Sequence, residues 1–332
     1  KYILQKLVTM TTPTAIHLHS NLHVAVSSTS FSKNLDLRKK LKKKFLNSFF
    51  NESSLEFSEQ ELCNFLKNAD AAIVGTEFIT EKVLSEAKRL KIISKYGVGL
   101  DNINLESLKK RNITLGWTGG VNQRSVSELT LCFMLGLFRN VFQSAFKLKN
   151  TRWEKDGGQQ LTGKTIGIVG CGHIGSDLIK LLTPFKCSLL VNDIVDKSQF
   201  CLNHGAIQTN IETLVSESNL ISLHVPLTTL TKDMVDEKFL SKMKSDAYLI
   251  NTSRGGVVNE KELKKALEQK RIAGAAIDVF AEEPPSNEKF IKLPNLASTP
   301  HIGGNAREAV EAMGLSAIDH LTAFFKRCPS PS

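Results

Sequence analysis

Short apolar, β-branched runs recur along the chain at 22–27, 71–75, 91–94, 113–117, 165–169, 188–191, 220–225, 247–252, 275–279 and 296–298. Each has the length and composition of a buried strand. Between them lie amphipathic stretches that predict helices at 35–49, 57–66, 80–87, 106–110, from Ile174 onward, 238–243 and 259–269. Alternation of this kind implies parallel sheets covered by helices. Residues 121–140 differ, because Val126, Leu129, Leu131, Cys132, Phe133, Met134, Leu135, Leu137 and Phe138 are apolar almost all round. A helix without a polar face is buried between layers, domains or subunits. A last helix at 305–325 aligns Ala306, Val310, Met313, Ala317, Leu321 and Phe324 on one stripe. It is expected to return to the first half of the chain and make that domain discontinuous. The polar, glycine-containing segment 149–163 reads as a loop.

The run at 165–169 leads straight into Gly170-x-Gly172-x-x-Gly175, and Ile174, Leu178, Leu181 and Leu182 then mark one face of a helix. In a strand–turn–helix, the first glycine permits the tight turn, the second lets a pyrophosphate approach the backbone, and the third allows close helix–strand packing. The helix N-terminus offers N–H groups and a positive dipole end to phosphates. His173 and Ile174 open that helix. Asp193 ends the next strand, 18 residues beyond Gly175, near the spacing expected of a carboxylate that binds ribose hydroxyls. Like-charge repulsion there disfavours a 2′-phosphate, and the nearest following cation is Lys197. The motif therefore indicates NAD rather than NADP.

At 332 residues the chain exceeds one average domain. Two domains are expected: 22–121 plus 302–332, discontinuous and binding the substrate, and 122–301, binding the dinucleotide. Residues 1–21 are expected to form a loosely ordered extension with no signal-peptide pattern. The net charge of +10 suits anionic substrates. The densest basic run, 38–44, shares its helix with Leu37, Leu41, Phe45 and Phe49, and reads as a solvated face rather than a nucleic-acid patch. No apolar run reaches membrane-spanning length. The six cysteines are scattered without metal-like or paired spacing, which fits a reducing compartment, the cytoplasm, and no metal site.

Three residues with reactive chemistry follow strand candidates of the second domain, where ligands bind in open α/β sheets. Arg254 follows Asn251-Thr252-Ser253, Glu283 precedes Pro284, and His301 lies in Pro300-His301-Ile302-Gly303-Gly304. A hydride delivered to a carbonyl leaves an alkoxide that needs a proton. A histidine beside a carboxylate suits that task, because the carboxylate raises the imidazole pKa and fixes its tautomer. An arginine grips a carboxylate with two parallel hydrogen bonds and polarises the adjoining carbonyl. The set is that required for reversible oxidation of a 2-hydroxy acid.

These segments, with residues 97–103, 122–129 and 224–228, resemble the D-isomer-specific 2-hydroxyacid dehydrogenases, closest to short phosphoglycerate-dehydrogenase-like members, over 22–326. The resemblance implies an α/β fold of two Rossmann-like or flavodoxin-like domains with doubly wound parallel sheets and an interdomain cleft. It assigns substrate binding to Arg254, His301 as acid–base and Glu283, rather than Glu282, as its partner. The substrate carboxylate falls to the backbone of Val98 and Gly99, with Lys95 nearby. Cofactor contacts fall to Gly170, Gly172, His173, Ile174, Gly175, Asp193, His224, Val225, Pro226, Thr252, Gly303 and, for the nicotinamide amide, Asp278. The family also implies a homodimer built on 121–140. Asn259 stands where relatives often carry an acid, and Asn also caps helices. Phosphoglycerate dehydrogenases tend to carry arginines where this chain has Gly75-Thr76-Glu77 and Lys95. 3-Phosphoglycerate is thus one candidate among the 2-hydroxy acids. An NAD(H)-sensing binding protein, like the corepressors that share the fold, is the alternative of another class.

Overall fold

The computed structural model describes residues 21–53 and 55–327, so the expectation for the N-terminal extension lies outside the described residues apart from Asn21. The chain divides into two compact units. One runs to Trp117 and resumes at Gly314, and the other spans Thr118–Met313.

The first unit contains β1 (Val24–Val26), α1 (Thr29–Lys33), α2 (Leu35–Lys44), β2 (Ser48–Phe50), α3 (Glu59–Leu66), β3 (Ala71–Val74), α4 (Glu81–Glu86), β4 (Ile92–Lys95), α5 (Leu105–Lys110) and β5 (Thr114–Gly116). Its five strands are parallel in the order β2-β1-β3-β4-β5, a doubly wound arrangement. The central strands β3 and β4 are buried on both faces, which explains why they read as unbroken apolar runs. Helices start where short polar side chains cap them: Ser58 and Glu61 form a reciprocal capping box on α3, and Asn104 caps α5.

The helix expected over 35–49 ends at Lys44, and Ser48–Phe50 is instead an edge strand paired with β1. Phe45 and Phe49 carry helical spacing. Strand pairing wins because Val24 N–H bonds Asn47 O at 3.1 Å and Phe49 packs on Phe65, ring centroids 5.0 Å apart.

The second unit contains α6 (Gln123–Phe138), α7 (Val141–Lys149), β6 (Thr165–Val169), α8 (His173–Leu182), β7 (Ser188–Asn192), α9 (Ser198–Asn203), β8 (Ala206–Gln208), α10 (Ile211–Glu217), β9 (Leu220–Leu223), α11 (Glu237–Lys242), β10 (Tyr248–Asn251), α12 (Glu260–Glu268), β11 (Gly274–Ile277), α13 (Glu288–Ile291) and β12 (Leu296–Ser298). Seven parallel strands run β12-β11-β10-β9-β6-β7-β8. The order reverses between β9 and β6, and the glycine-rich turn follows β6 at that switch point. Asn259 caps α12 by accepting the Glu262 N–H, so the residue that departs from its relatives serves the helix start.

The apolar helix α6 buries Phe133, Met134, Leu137 and Phe138 in a core with Leu178, Ile179 and Leu182 of α8. It bends by 66° into α7, a helix that lay outside the sequence expectations. Among the described residues no single helix is long and apolar enough to cross a membrane.

The last helix, α14 (Arg307–Arg327), carries the chain from the second unit into the first. The passage falls between Met313 and Gly314 rather than at the expected 301–302. The cause is local: Ser125 Oγ donates to Gly303 O at 2.5 Å and accepts the Ala306 N–H at 3.2 Å, tying the start of this segment to α6. Within the first unit α14 lies close on its neighbours. A Cβ at Gly314 would stand 2.4 Å from Leu37 Cδ1, and Ser94 Oγ donates to Ala317 O at 2.8 Å.

Candidate active site

Buried β6 ends at Gly170, whose φ of +93° is strained for any residue with a Cβ. A Cβ there would also stand 2.6 Å from His224 O. At Gly175 it would stand 2.1 Å from Gly170 O, because α8 leaves the sheet in contact with the turn. Gly172 is the opposite case: a Cβ there meets nothing within 4 Å. Gly172 is the N-cap of α8, and no side chain caps that end. The open helix terminus is thus a cradle of N–H groups with a positive dipole, which His173 and Ile174 begin. Asp193 stands beside it. Its Oδ2 accepts the Cys171 N–H at 2.6 Å and its Oδ1 the Val195 N–H at 2.9 Å. The residues present fit the diphosphate and ribose of a dinucleotide. Gly175→Ala is expected to destabilise the protein by about 1–3 kcal/mol through overpacking and to weaken NADH binding. Thermal unfolding and a fluorescence titration check both.

Arg254 follows β10 on a turn that Asn251 holds: its Nδ2 donates to Arg254 O at 2.8 Å, and its Oδ1 accepts from Ser253 N and Oγ at 3.0 and 2.8 Å. Gly255 passes so near Phe280 that a Cβ would stand 1.9 Å from the Phe280 carbonyl carbon. No side chain fits there, so the strand ends carrying Arg254 and Glu283 pack backbone to backbone. Glu283 Oε1 accepts the Phe280 N–H at 3.0 Å, and its Oε2 lies 2.8 Å from His301 Nδ1. The neighbouring Glu282 turns away and accepts from Ser286 Oγ at 3.2 Å.

The hydrogen bond to Glu283 raises the His301 pKa above its ordinary value, against an opposing effect of burial. For Glu283, burial acts upward, but the His301 hydrogen bond and the Phe280 N–H outweigh it and hold the carboxyl below its usual range. The Arg254 charge acts on both, lowering each pKa. No group of acidic, histidine or cysteine side chains among the described residues is arranged to hold a metal ion.

His301 itself has φ of +53°, a left-handed conformation uncommon for a non-glycine residue. Asp278, 1 % exposed, holds it there. His301 N–H donates to Asp278 O at 2.8 Å, Ile302 N–H to Oδ1 at 2.8 Å and Gly303 N–H to Oδ2 at 2.7 Å, and Thr299 Oγ1 donates to Oδ1 at 2.5 Å. Sequence reasoning assigned Asp278 to the cofactor and missed this clamp. A carboxylate at a strand end ahead of a Thr-Pro-His-Ile-Gly-Gly loop was the available signal.

Other expected contacts are placed as follows. His224 N–H joins Val169 O at 2.7 Å, and its Nε2 lies 2.9 Å from Ser222 Oγ. Its Nδ1 is buried without a partner, and burial pushes the imidazole down to about 3, so the ring is neutral. Val225 packs on the core of the second unit, and Pro226 O accepts Thr231 Oγ1 at 2.6 Å. Thr252 Oγ1 lies 2.9 Å from Thr130 Oγ1, joining β10 to α6. In the first unit Val98 O accepts the Trp117 indole N–H at 3.0 Å, and Val98 and Gly99 are half-buried. Lys95, expected near the substrate, is buried, with its ammonium on Gly75 O and Asn102 Oδ1.

Comparison with known proteins gives the family of the chain. The family model "D-isomer specific 2-hydroxyacid dehydrogenase, NAD binding domain" matches residues 131–303. The chain is 39 % identical over 271 residues to glyoxylate reductase of Thermococcus litoralis, covering 79 % of this chain and 82 % of that protein. It is 37 % identical over 292 residues to D-3-phosphoglycerate dehydrogenase of Dictyostelium discoideum, covering 85 % and 71 % respectively. Among solved structures, D-lactate dehydrogenase from Aquifex aeolicus, complexed with NAD and lactic acid, superposes with a TM-score of 0.80 at 27 % identity, covering 92 % of this chain and 95 % of that one. The chain belongs to the D-isomer-specific 2-hydroxyacid dehydrogenase family. It is an oxidoreductase that acts on the CH–OH group of a 2-hydroxy acid with NAD as its cofactor.

Proposed function

We propose that Arg254, Glu283 and His301 carry the reaction of this enzyme. NAD, when bound, supplies or accepts the hydride. His301 hands a proton to the oxygen of the reduced carbonyl and takes it back in the oxidative direction. With Nδ1 engaged by Glu283 at 2.8 Å, Nε2 is the nitrogen that exchanges the proton. Glu283 keeps the ring oriented and stabilises its cation. Arg254 binds the substrate carboxylate with its fork and polarises the keto oxygen. In the first unit the half-buried Val98 and Gly99 offer backbone N–H groups to a substrate carboxylate. The second unit is the nucleotide-binding domain, expected over 122–301, and the first, expected over 22–121 plus 302–332, binds the substrate. Gly170 to Gly175 hold the diphosphate, Asp193 the adenosine ribose, and His224, Val225, Pro226, Thr252, Asp278 and Gly303 the nicotinamide side.

The hydrogen-bonded imidazole–carboxylate pair, with Arg254 acting on both members, carries this reading. Mixing the enzyme with NADH and a panel of 2-keto acids, and following absorbance, tests it. Turnover of at least one small 2-keto acid is the expected result. Folded protein that binds NADH and reduces none of them would overturn the reading.

Two further points belong to the same proposal. The enzyme works as a homodimer. α7 buries none of its residues and presents Val141, Phe146 and Leu148, with Trp153 beyond it, beside the helix α6 that the dimer expectation named. An apolar surface of this kind marks an interface. The unpaired thiols of Cys63, Cys132, Cys171, Cys187 and Cys201 suit the reducing cytoplasm.

A further inference from the structure

Every backbone N–H and C=O over 301–303 is engaged, and one of the anchors comes from a distant helix. The three N–H groups donate to Asp278, the first to its carbonyl and the other two to its carboxylate. The carbonyls are held by other groups. Asn305 Nδ2 donates to His301 O at 3.3 Å, the Asn305 N–H to Ile302 O at 2.9 Å, and Ser125 Oγ to Gly303 O at 2.5 Å. Ser125 Oγ also accepts the Ala306 N–H at 3.2 Å, so one hydroxyl grips the chain where it leaves the loop. Asp278 and Asn305 lie near His301 in sequence. Ser125 stands 178 residues from Gly303.

Ser125 lies in the first turn of α6. The same end of that helix is fixed to α8: Ser127 Oγ donates to Ile174 O at 3.3 Å, and Arg124 Nη2 donates to Asp177 Oδ1 at 2.8 Å. The loop backbone rides directly on α6. A Cβ at Gly304 would stand 2.7 Å from Asn122 Nδ2, and one at Gly303 would stand 2.9 Å from Asp278 Oδ2 and 3.6 Å from Val126 Cγ1. The start of α6 therefore holds both the helix that opens on the glycine-rich turn and the loop that carries His301. His301 is left-handed, with φ of +53°, and such a backbone persists at a residue with a Cβ only where its surroundings over-determine it. Releasing the Gly303 carbonyl removes the one restraint on 301–303 that comes from outside the adjoining chain, and lets the loop relax away from Glu283.

We propose that Ser125 is a positioning residue for the proton transfer of this enzyme: its hydroxyl pins the Gly303 carbonyl and thereby keeps the His301 imidazole in register with Glu283. It acts through the loop backbone. The inference rests on the reading that His301 is the acid–base group.

Ser125→Ala deletes the hydroxyl and leaves a residue that favours a helix. It is expected to lower kcat for keto-acid reduction by about 10- to 100-fold, the effect of misplacing a catalytic group by about an ångström, with NADH affinity unchanged. The pH profile separates positioning from a merely structural role. Glu283, Asp278 and Arg254 are the charged groups that act on His301, and the Glu283 hydrogen bond has the largest influence. Loosening that bond lowers the imidazole pKa, so the fall of kcat/KM with rising pH sets in at lower pH than in the wild type. Ser125→Thr keeps the hydroxyl and is expected to restore both the rate and the inflection. If thermal unfolding shows that the alanine variant does not fold, Ser125→Cys, whose thiol is a weaker donor, gives the same two readouts with smaller changes in the same direction. A folded alanine or cysteine variant with wild-type kcat and inflection overturns this inference alone. A lower rate with an unmoved inflection, not recovered by threonine, assigns Ser125 to the fold and also overturns it. If His301→Ala keeps the wild-type rate, the catalytic reading fails and this inference fails with it.

Discussion

His301→Ala is expected to lower kcat for keto-acid reduction by about 10²- to 10⁴-fold, the range that a positioned acid–base group contributes, while NADH binding stays within a few-fold. The wild-type pH profile should carry the same signature. Glu283 holds the imidazole pKa above its ordinary value, so the protonated form persists to higher pH than in a free histidine. Reduction needs that proton: its kcat/KM is constant below the raised pKa and falls as pH rises through it. Oxidation needs the neutral ring and changes in the opposite sense over the same interval. The alanine variant should lose both inflections. A variant within threefold of wild type, or one that keeps the inflections, would assign the proton to another group. Stopped-flow traces at saturating NADH separate the chemical step from product release.

Arg254→Ala is expected to cost about 2–5 kcal/mol in kcat/KM, roughly 30- to 5,000-fold, the usual effect of truncating one partner of a hydrogen-bonded charge pair. Arg254→Lys should recover little of this, because an ammonium keeps the charge but loses the planar fork that matches a carboxylate. Guanidine added to the alanine variant should restore part of the rate. The loss should appear in kcat as well as KM if the guanidinium also polarises the keto oxygen. An effect confined to KM would restrict Arg254 to ground-state binding of the carboxylate. Because Arg254 also opposes protonation of His301, the alanine variant should shift the reduction profile toward higher pH.

Both predictions depend on residues far apart in the chain, and they were legible in the sequence for unequal reasons. The strand Thr165–Val169 and the glycine spacing after it are local properties, and the structure shows the geometric reason for each glycine. Strand ends that carry Arg254 and His301 could be placed because buried parallel strands read as continuous apolar runs. The edge strand Ser48–Phe50 was hidden, since three residues hold too little pattern and the lysines before them extend a helical one. The burial of Lys95 was hidden for a related reason. A lysine beside a glycine turn reads as an exposed cation, and only the approach of Gly75 and Asn102, from other loops, takes its ammonium inward.

What the sequence determined by itself was the alternation of elements, the glycine-rich turn and the inventory of reactive groups, because each rests on residues adjacent in the chain or one period apart. Only the tertiary structure decided that Asp278 clamps the histidine loop in a left-handed conformation and that Glu77 and Lys95 are buried together. Those outcomes depend on backbone segments packed from distant parts of the chain, and no spacing along it encodes the distances between them.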